Sequence, residues 1–247
     1  MDYHAPAQGI LEYPESRRIN VSSLADISKE TRDPTQKPEE HFLYIEVANI
    51  DVQTGTIVNP KELVGEEAPS RARMIVKAFD IIVSTVRPTR GAIAVVPPEL
   101  HNQICSTGFC VIRCKENVNP YYLHFVLRSQ STLEQFRKFS TGSSYPAILD
   151  DDVSKTIIPN ASPDEQDKIV KAVMVAYRQR LKLISQATLD FEKAVSSSSE
   201  YLKQNGTEAT EHLHFDNGIE GVTIDEIKKL KEEIAKNDLS LLQAVES

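Results

Sequence analysis

Tryptophan is absent from the 247 residues, aromatic residues make up only 6%, and there are three cysteines. Three cysteines cannot build a disulfide scaffold and point to a reducing compartment. Glycine is scarce at nine, and no two glycines form Gly-x-Gly. That excludes a dinucleotide loop, a phosphate loop and a glycine motif for S-adenosylmethionine. No stretch approaches the roughly 18 uninterrupted apolar residues that span a bilayer. No apolar core follows a basic start, so no secretory signal is expected, and the chain is read as cytoplasmic without a membrane partner. Basic residues are the minority, 28 against 36 acidic ones, for a net charge of −8. This balance excludes a generic nucleic-acid coat but leaves room for one local basic face.

What is present is a 40% hydrophobic fraction, enough for a core and too much for a disordered chain. Residues 1–22 hold no periodic pattern and read as a loose leader. Ser22 and Ser23 are placed to cap a short helix through Leu24, Ala25 and Ile27. Phe42–Ile50 alternates and is rich in strand formers, which predicts a strand with Thr56–Val58 as its return after the turn at 51–55, and Ile81–Val86, an apolar run, Ala92–Val96 and Phe109–Arg113 read as further strands. Residues 59–74 read as loop or short helix. Asn119 with Pro120 predicts a helix start, and Leu133–Phe139 a second helix. Thr141 to Pro146 reads as a polar loop.

From Pro163 the period changes. Val170, Val173, Tyr177, Leu181, Ile184, Thr188, Phe191 and Val195 recur at three- and four-residue spacing, a near-heptad stripe on one long helix. Ser162 is its expected cap, and residues 163–195 span roughly 50 Å at 1.5 Å per residue. Thr223 with Glu226 has the spacing of a capping box ahead of a charged helix through Ile227, Leu230 and Ile234. The expected organisation is α+β: a leader at 1–22, a mixed α/β domain at 23–160, a long coiled-coil-type helix at 161–204, a linker at 205–221 and a helical tail at 222–247.

Candidate chemistry is thin. His101, Cys105, Cys110 and Cys114 suggest metal ligands at first. On a strand, however, Cys110 and Cys114 sit about 13 Å apart, too far to share one zinc, so they read as core cysteines. Asp150, Asp151 and Asp152 read as a polar turn that caps the next segment of chain. Asn119-Pro120-Tyr121-Tyr122 lacks the second proline of the adenine-methyltransferase signature and reads as a helix cap. No catalytic apparatus, cofactor or metal is expected.

One ordered constellation remains. It comprises Tyr44–Asp51 closed by Gly55; Asp80–Arg87 followed by Gly91; Ser106-Thr107-Gly108-Phe109; Tyr122-Leu123; Gly142-Ser143-Ser144; and Ile158-Pro159 leading to Glu165-Gln166 at the head of the long helix. Over about residues 22–200 this resembles the specificity subunit of type I restriction-modification systems. Phe79 departs from the pattern, standing where the family usually has glycine. Only one recognition domain and one long helix are present where a full subunit usually carries two of each.

The resemblance implies a target-recognition domain that reads half of a double-stranded DNA site. It also implies a spacer helix that docks the methyltransferase (M) subunits in a complex with the restriction (R) subunit. The DNA-facing candidates are Arg71, Arg73, Thr85, Arg87, Arg90, Ser143, Ser144 and Tyr145; the bland alternative pairs the arginines with Glu66, Glu67 and Asp80. The pairing candidates on the helix are Val170, Val173, Tyr177, Leu181, Ile184 and Phe191, meeting a second copy of the chain. Two other functions compete with this one: a coiled-coil structural adaptor whose domain binds protein, and a detached recognition domain of a methyltransferase-nuclease.

Overall fold

The computed structural model describes residues 8–142, 145–198 and 223–245, the side chains of residues 181, 190–198 and 237–245 excepted. In chain order the elements begin with α1 (Gln8–Leu11), β1 (Arg18–Asn20), α2 (Val21–Leu24), β2 (Ala25–Ser28), β3 (His41–Ile45), β4 (Ile50–Asp51), β5 (Thr56–Ile57) and β6 (Lys61–Val64). They continue with β7 (Ala72–Val76), β8 (Ile81–Ser84), β9 (Ile93–Val95), β10 (Gln103–Ser106) and β11 (Phe109–Cys114). The rest are α3 (Pro120–Leu127), α4 (Gln130–Phe139), α5 (Asp150–Lys155), β12 (Ile157–Pro159), α6 (Pro163–Ser198) and α7 (Ile224–Val245).

Two four-stranded sheets, in the orders β2-β11-β8-β9 and β6-β3-β10-β7, form the frame. Side chains alternate across a strand, and here the alternation divides the core. Ile81, Val83, Cys110 and Ile112 face the helices α3 and α4, with Leu123, Leu127 and Phe136. Ile82, Phe109 and Val111 face the other way, onto Ile45, Val76 and Cys105 of the second sheet. The sheet β2-β11-β8-β9 is thus a middle layer, buried on both faces. That explains the continuous apolar reading of Ile81–Val83, and Cys105 and Cys110 are core residues. At one end of its two central strands Arg113 of β11 donates from Nε and Nη2 to both carboxylate oxygens of Asp80, just ahead of β8, each at 2.9 Å.

Several expectations change. Residues 8–22 are part of the domain: Ile10 is fully buried, and β1 pairs antiparallel with β12, Ile19 opposite Ile158. Residues 1–7 lie outside the described residues. Ala25 and Ile27 belong to strand β2, because pairing with β11 outweighs the local helix signal. The stretch 59–74 contains β6 and the start of β7, whose partners β3 and β10 are remote in sequence. The three aspartates open helix α5, with Asp152 accepting the Leu149 amide at 2.8 Å.

Both expected caps form, and each closes as a capping box. Ser162 Oγ accepts from the Glu165 amide at 3.4 Å while Glu165 accepts from the Ser162 amide at 2.8 Å. Thr223 and Glu226 do the same at 3.2 and 2.9 Å. Asn119 is fully buried and caps α3, its Oδ1 accepting the Tyr121 amide at 3.0 Å. Its own amide donates to Gln166 at 2.9 Å, and its Nδ2 donates to Asp167 at 2.8 Å. The root of α6 is therefore bolted to the start of α3.

A second buried polar group sits under the β4–β5 hairpin. His124 Nε2 faces the Ile93 carbonyl at 3.2 Å, and Arg128 donates to the carbonyls of Val52, Gln53 and Thr54 at 2.8–3.1 Å. A Cβ on Gly55 would lie 2.5 Å from Arg128 Nη1 and 2.6 Å from His124 Nε2, so only glycine closes this turn. Burial first, and Arg128 second, push the His124 imidazole down to about 3.

These buried groups set two expected outcomes. Asn119→Ala loses a cap, worth about 1 kcal/mol, and strips the Asp167 carboxylate of a buried donor, worth about 1.5–3 kcal/mol; urea unfolding should show a loss of roughly 2–4 kcal/mol. His124 is neutral when folded and titrates near 6.5 when unfolded. Its contribution is complete above about pH 6.5 and is lost as pH falls toward 3, because only the unfolded chain takes up the proton. Stability should therefore decline by up to about 1.4 kcal/mol per pH unit in that window, and His124→Gln should remove that slope in urea titrations at pH 7, 6, 5 and 4.

Candidate nucleic-acid interface

One rim of the domain gathers Arg71, Thr85, Arg87 and Tyr145, four of the eight residues named for DNA contact. Its base is a run of backbone hydrogen bonds. Thr107 donates its amide to the Arg71 carbonyl at 2.9 Å, and Thr85 donates its amide to the Gly108 carbonyl at 2.9 Å, joined by the Thr85 hydroxyl at 3.0 Å. The Ile148 amide donates to Thr85 at 3.0 Å, and the Arg87 amide to Pro146 at 2.7 Å. Arg71, the turn at Thr107-Gly108, Thr85, Arg87 and the loop around Tyr145 are thereby fixed in one strip.

On this strip the Arg87 guanidinium carbon lies 4.8 Å from the centroid of the Tyr145 ring, and that ring is 70% exposed. A stacked guanidinium is pre-oriented at little entropic cost, and its fork stays open to anions. Arg87 also adopts φ 49°, ψ 51°, the left-handed region that costs a non-glycine residue about 1–2 kcal/mol. Gly91, at φ 70°, closes the same turn. Arg71 and Arg90 are exposed. Among the described residues none of Arg71, Arg87 and Arg90 has a carboxylate within ion-pairing distance. Ser143 and Ser144 lie outside the described residues.

Arg73 differs. It donates to the carbonyls of Ala72 and Pro69 at 2.8 and 3.3 Å and pairs with Asp33 at 3.4 Å. The Thr35 hydroxyl first, its amide next and Arg73 last hold the Asp33 carboxyl below its ordinary value. The expected alternative partners do not take this arginine, and Asp80 is engaged by Arg113 instead. Sequence reading missed Thr107 as part of the strip, although Ser106-Thr107-Gly108 was its signal. It also missed Arg128, for which Gly55 was the cue.

The helix candidates divide at Tyr177. Val170 is buried and Met174 packs against the core, while Tyr177 is half-buried beside Thr54 of the hairpin. Beyond it the helix leaves the domain: Ile184 is 47%, Leu183 71% and Leu189 50% exposed. Val173 is already 36% exposed. The side chains of Leu181 and Phe191 lie outside the described residues. Among the described residues no cluster of His, Cys, Asp and Glu suits a metal ion, and no helix is long and apolar enough to cross a membrane.

No protein-family model matches the chain. The HindI type I restriction enzyme specificity subunit of Haemophilus influenzae is 32% identical over 130 residues, 49% of this chain and 28% of that protein. The HsdS subunit from Thermoanaerobacter tengcongensis superposes with a TM-score of 0.61 at 39% identity, over 73% of this chain and 47% of that one. A chain from a structure describing complex assembly and conformational transition of the type I R-M system gives a TM-score of 0.61 at 36% identity, over 80% of this chain and 51% of its own length.

Over the matched residues the chain is similar to type I specificity subunits. It spans about half the length of these solved relatives, 47% and 51%.

The likeness to specificity subunits makes Phe79 informative. Its φ is 67°, so the glycine usual at this position answers a backbone demand. Here the strain is borne by a side chain only 2% exposed in the core, with Lys231 of α7 at 5.8 Å from its ring. Arg87 carries the same kind of strain without that burial. Arg87→Gly should therefore leave stability unchanged or raise it by up to about 1 kcal/mol, measured by thermal unfolding.

Proposed function

We propose that this chain is a DNA-recognition subunit that reads one half of a bipartite site and directs adenine methylation and DNA cleavage by partner M and R subunits, doing no chemistry itself. The observation that carries the reading is the strip of exposed Arg71 and Tyr145 with half-buried Thr85 and Arg87, whose arginines have no acidic partner among the described residues. Arginine forks fit guanine O6 and N7 or clamp phosphates. Hydroxyls and an exposed aromatic ring beside them supply further contacts to backbone or base edges. Arg90 extends the basic strip, and Ser143 and Ser144 remain candidates from the sequence. Arg73, already shared with Asp33, contributes less.

The exposed continuation of α6 supports the second part of the reading. Val173 and Ile184 join Leu181 and Phe191 on one stripe, which pairs antiparallel with a second copy and offers a surface to the methyltransferase subunits. Two identical recognition domains related by a two-fold axis read an interrupted palindrome. The complex works in the cytoplasm.

The test begins with co-expression of the chain and a methyltransferase subunit and sequencing of the modified adenines, which defines the site. Binding of Arg71→Ala, Arg87→Ala, Arg90→Ala and Tyr145→Ala to that site is then measured at three salt concentrations. A base-reading arginine should cost about 1–3 kcal/mol and relax one position. A phosphate-gripping one should lower affinity evenly and reduce the salt slope by about one. Wild-type affinity, selectivity and slope in all four would rule out this strip. An absence of DNA binding at any salt would favour the adaptor.

A further inference from the structure

Helix α7 has a defined seat on the domain. Ile227 is buried in the main core, with Leu230 and Ile234 packed against it. The Ile224 amide donates to the Asp167 carboxylate, with the oxygens at 3.3 and 3.5 Å. Lys228 donates to Asn117 Oδ1 at 3.0 Å. This seat adjoins the root of α6, yet the chain leaves α6 at its far end. From Asp167 to Ser198 the helix covers about 46 Å at 1.5 Å per residue. Residues 199–222 join the two helices, and a segment of that length reaches about 80 Å at most. Its length permits more than one destination.

An antiparallel pair of α6 helices centred between Leu181 and Ile184 changes which seat is nearer. Ser198 and Asp167 are about equally far from that centre, so Ser198 of one copy lies opposite Asp167 of the other. Packed helices stand about 8–10 Å apart. The other copy's seat is then several times closer to the end of α6 than the chain's own seat. Effective concentration falls as the span a linker must bridge grows, and exchange of an identical element keeps every contact of the seat.

We propose that α7 is exchanged across the pair, each copy's α7 filling the seat of the other at Phe79, Asn117 and Asp167. This rests on the antiparallel pairing proposed for α6. The exchange turns a helix pair into a clasped dimer, in which separation requires two α7 helices to unseat.

The test uses the full-length Asn117→Asp chain. Asn117 has φ 64°, which aspartate tolerates as asparagine does, and its carboxylate would stand against Lys228. A zero-length carbodiimide reagent then joins residues 117 and 228 wherever they meet, and peptides are mapped from the monomer and dimer bands of a denaturing gel. The expected result is a 117–228 peptide in the dimer band and none in the monomer band. Adding Leu181→Asp and Ile184→Asp should move that peptide to the monomer band. A dimer by light scattering with the peptide in the monomer band would overturn the exchange and leave the pairing standing. A monomeric protein would overturn both. A folded dimer that yields no 117–228 peptide would show α7 unseated and overturn the exchange alone.

Discussion

The buried junction at Asn119 is the constraint on which the geometry of this chain depends. Three helices start there. Asn119 caps α3, donates through its backbone to Gln166 and through its side chain to Asp167, and Asp167 in turn receives the first amide of α7. Gln166 completes the set by donating to the Ala161 carbonyl at 2.9 Å. Helix amino termini leave amides without partners, and a buried unpaired donor costs about 1–3 kcal/mol. Converging three such ends on one satisfied cluster removes that cost only in one relative arrangement. The direction in which α6 leaves the domain is set by this requirement rather than by the apolar stripe along it.

The rest of the domain serves to hold loops still. The middle sheet is buried on both faces, and Arg113 ties its two central strands together through Asp80. The strip proposed for DNA contact is built from turns, yet each turn is tied to the next by backbone hydrogen bonds. Side-chain identity along the strip is therefore free to vary without loss of the frame. Positive φ values occur at Phe79 and Arg87 as well as at Asn59, Asn102 and Asn117. Asparagine tolerates that region; phenylalanine and arginine do so less well. Phe79 is retained by its burial. Arg87 has no comparable burial.

The sequence by itself determined the features whose partners lie within a few residues. The caps at Asn119, Ser162 and Thr223, the length of α6 and the apolar runs of β8 and β11 all depend on neighbours one to five positions away. The ordered motifs also led to the specificity-subunit family, because their spacing survives where each motif alone is weak. Tertiary structure decided what depends on remote partners. Strand β1 exists because β12 pairs with it from far along the chain, so a segment without periodicity joined the domain. Arg73 found Asp33, which its own surroundings in sequence did not suggest. Only packing revealed that the charged helix through Ile227 has an apolar seat beside Phe79. Local signals are read from the chain because their energy is local; pairing across forty or more residues depends on which of many equally apolar partners the completed core brings together.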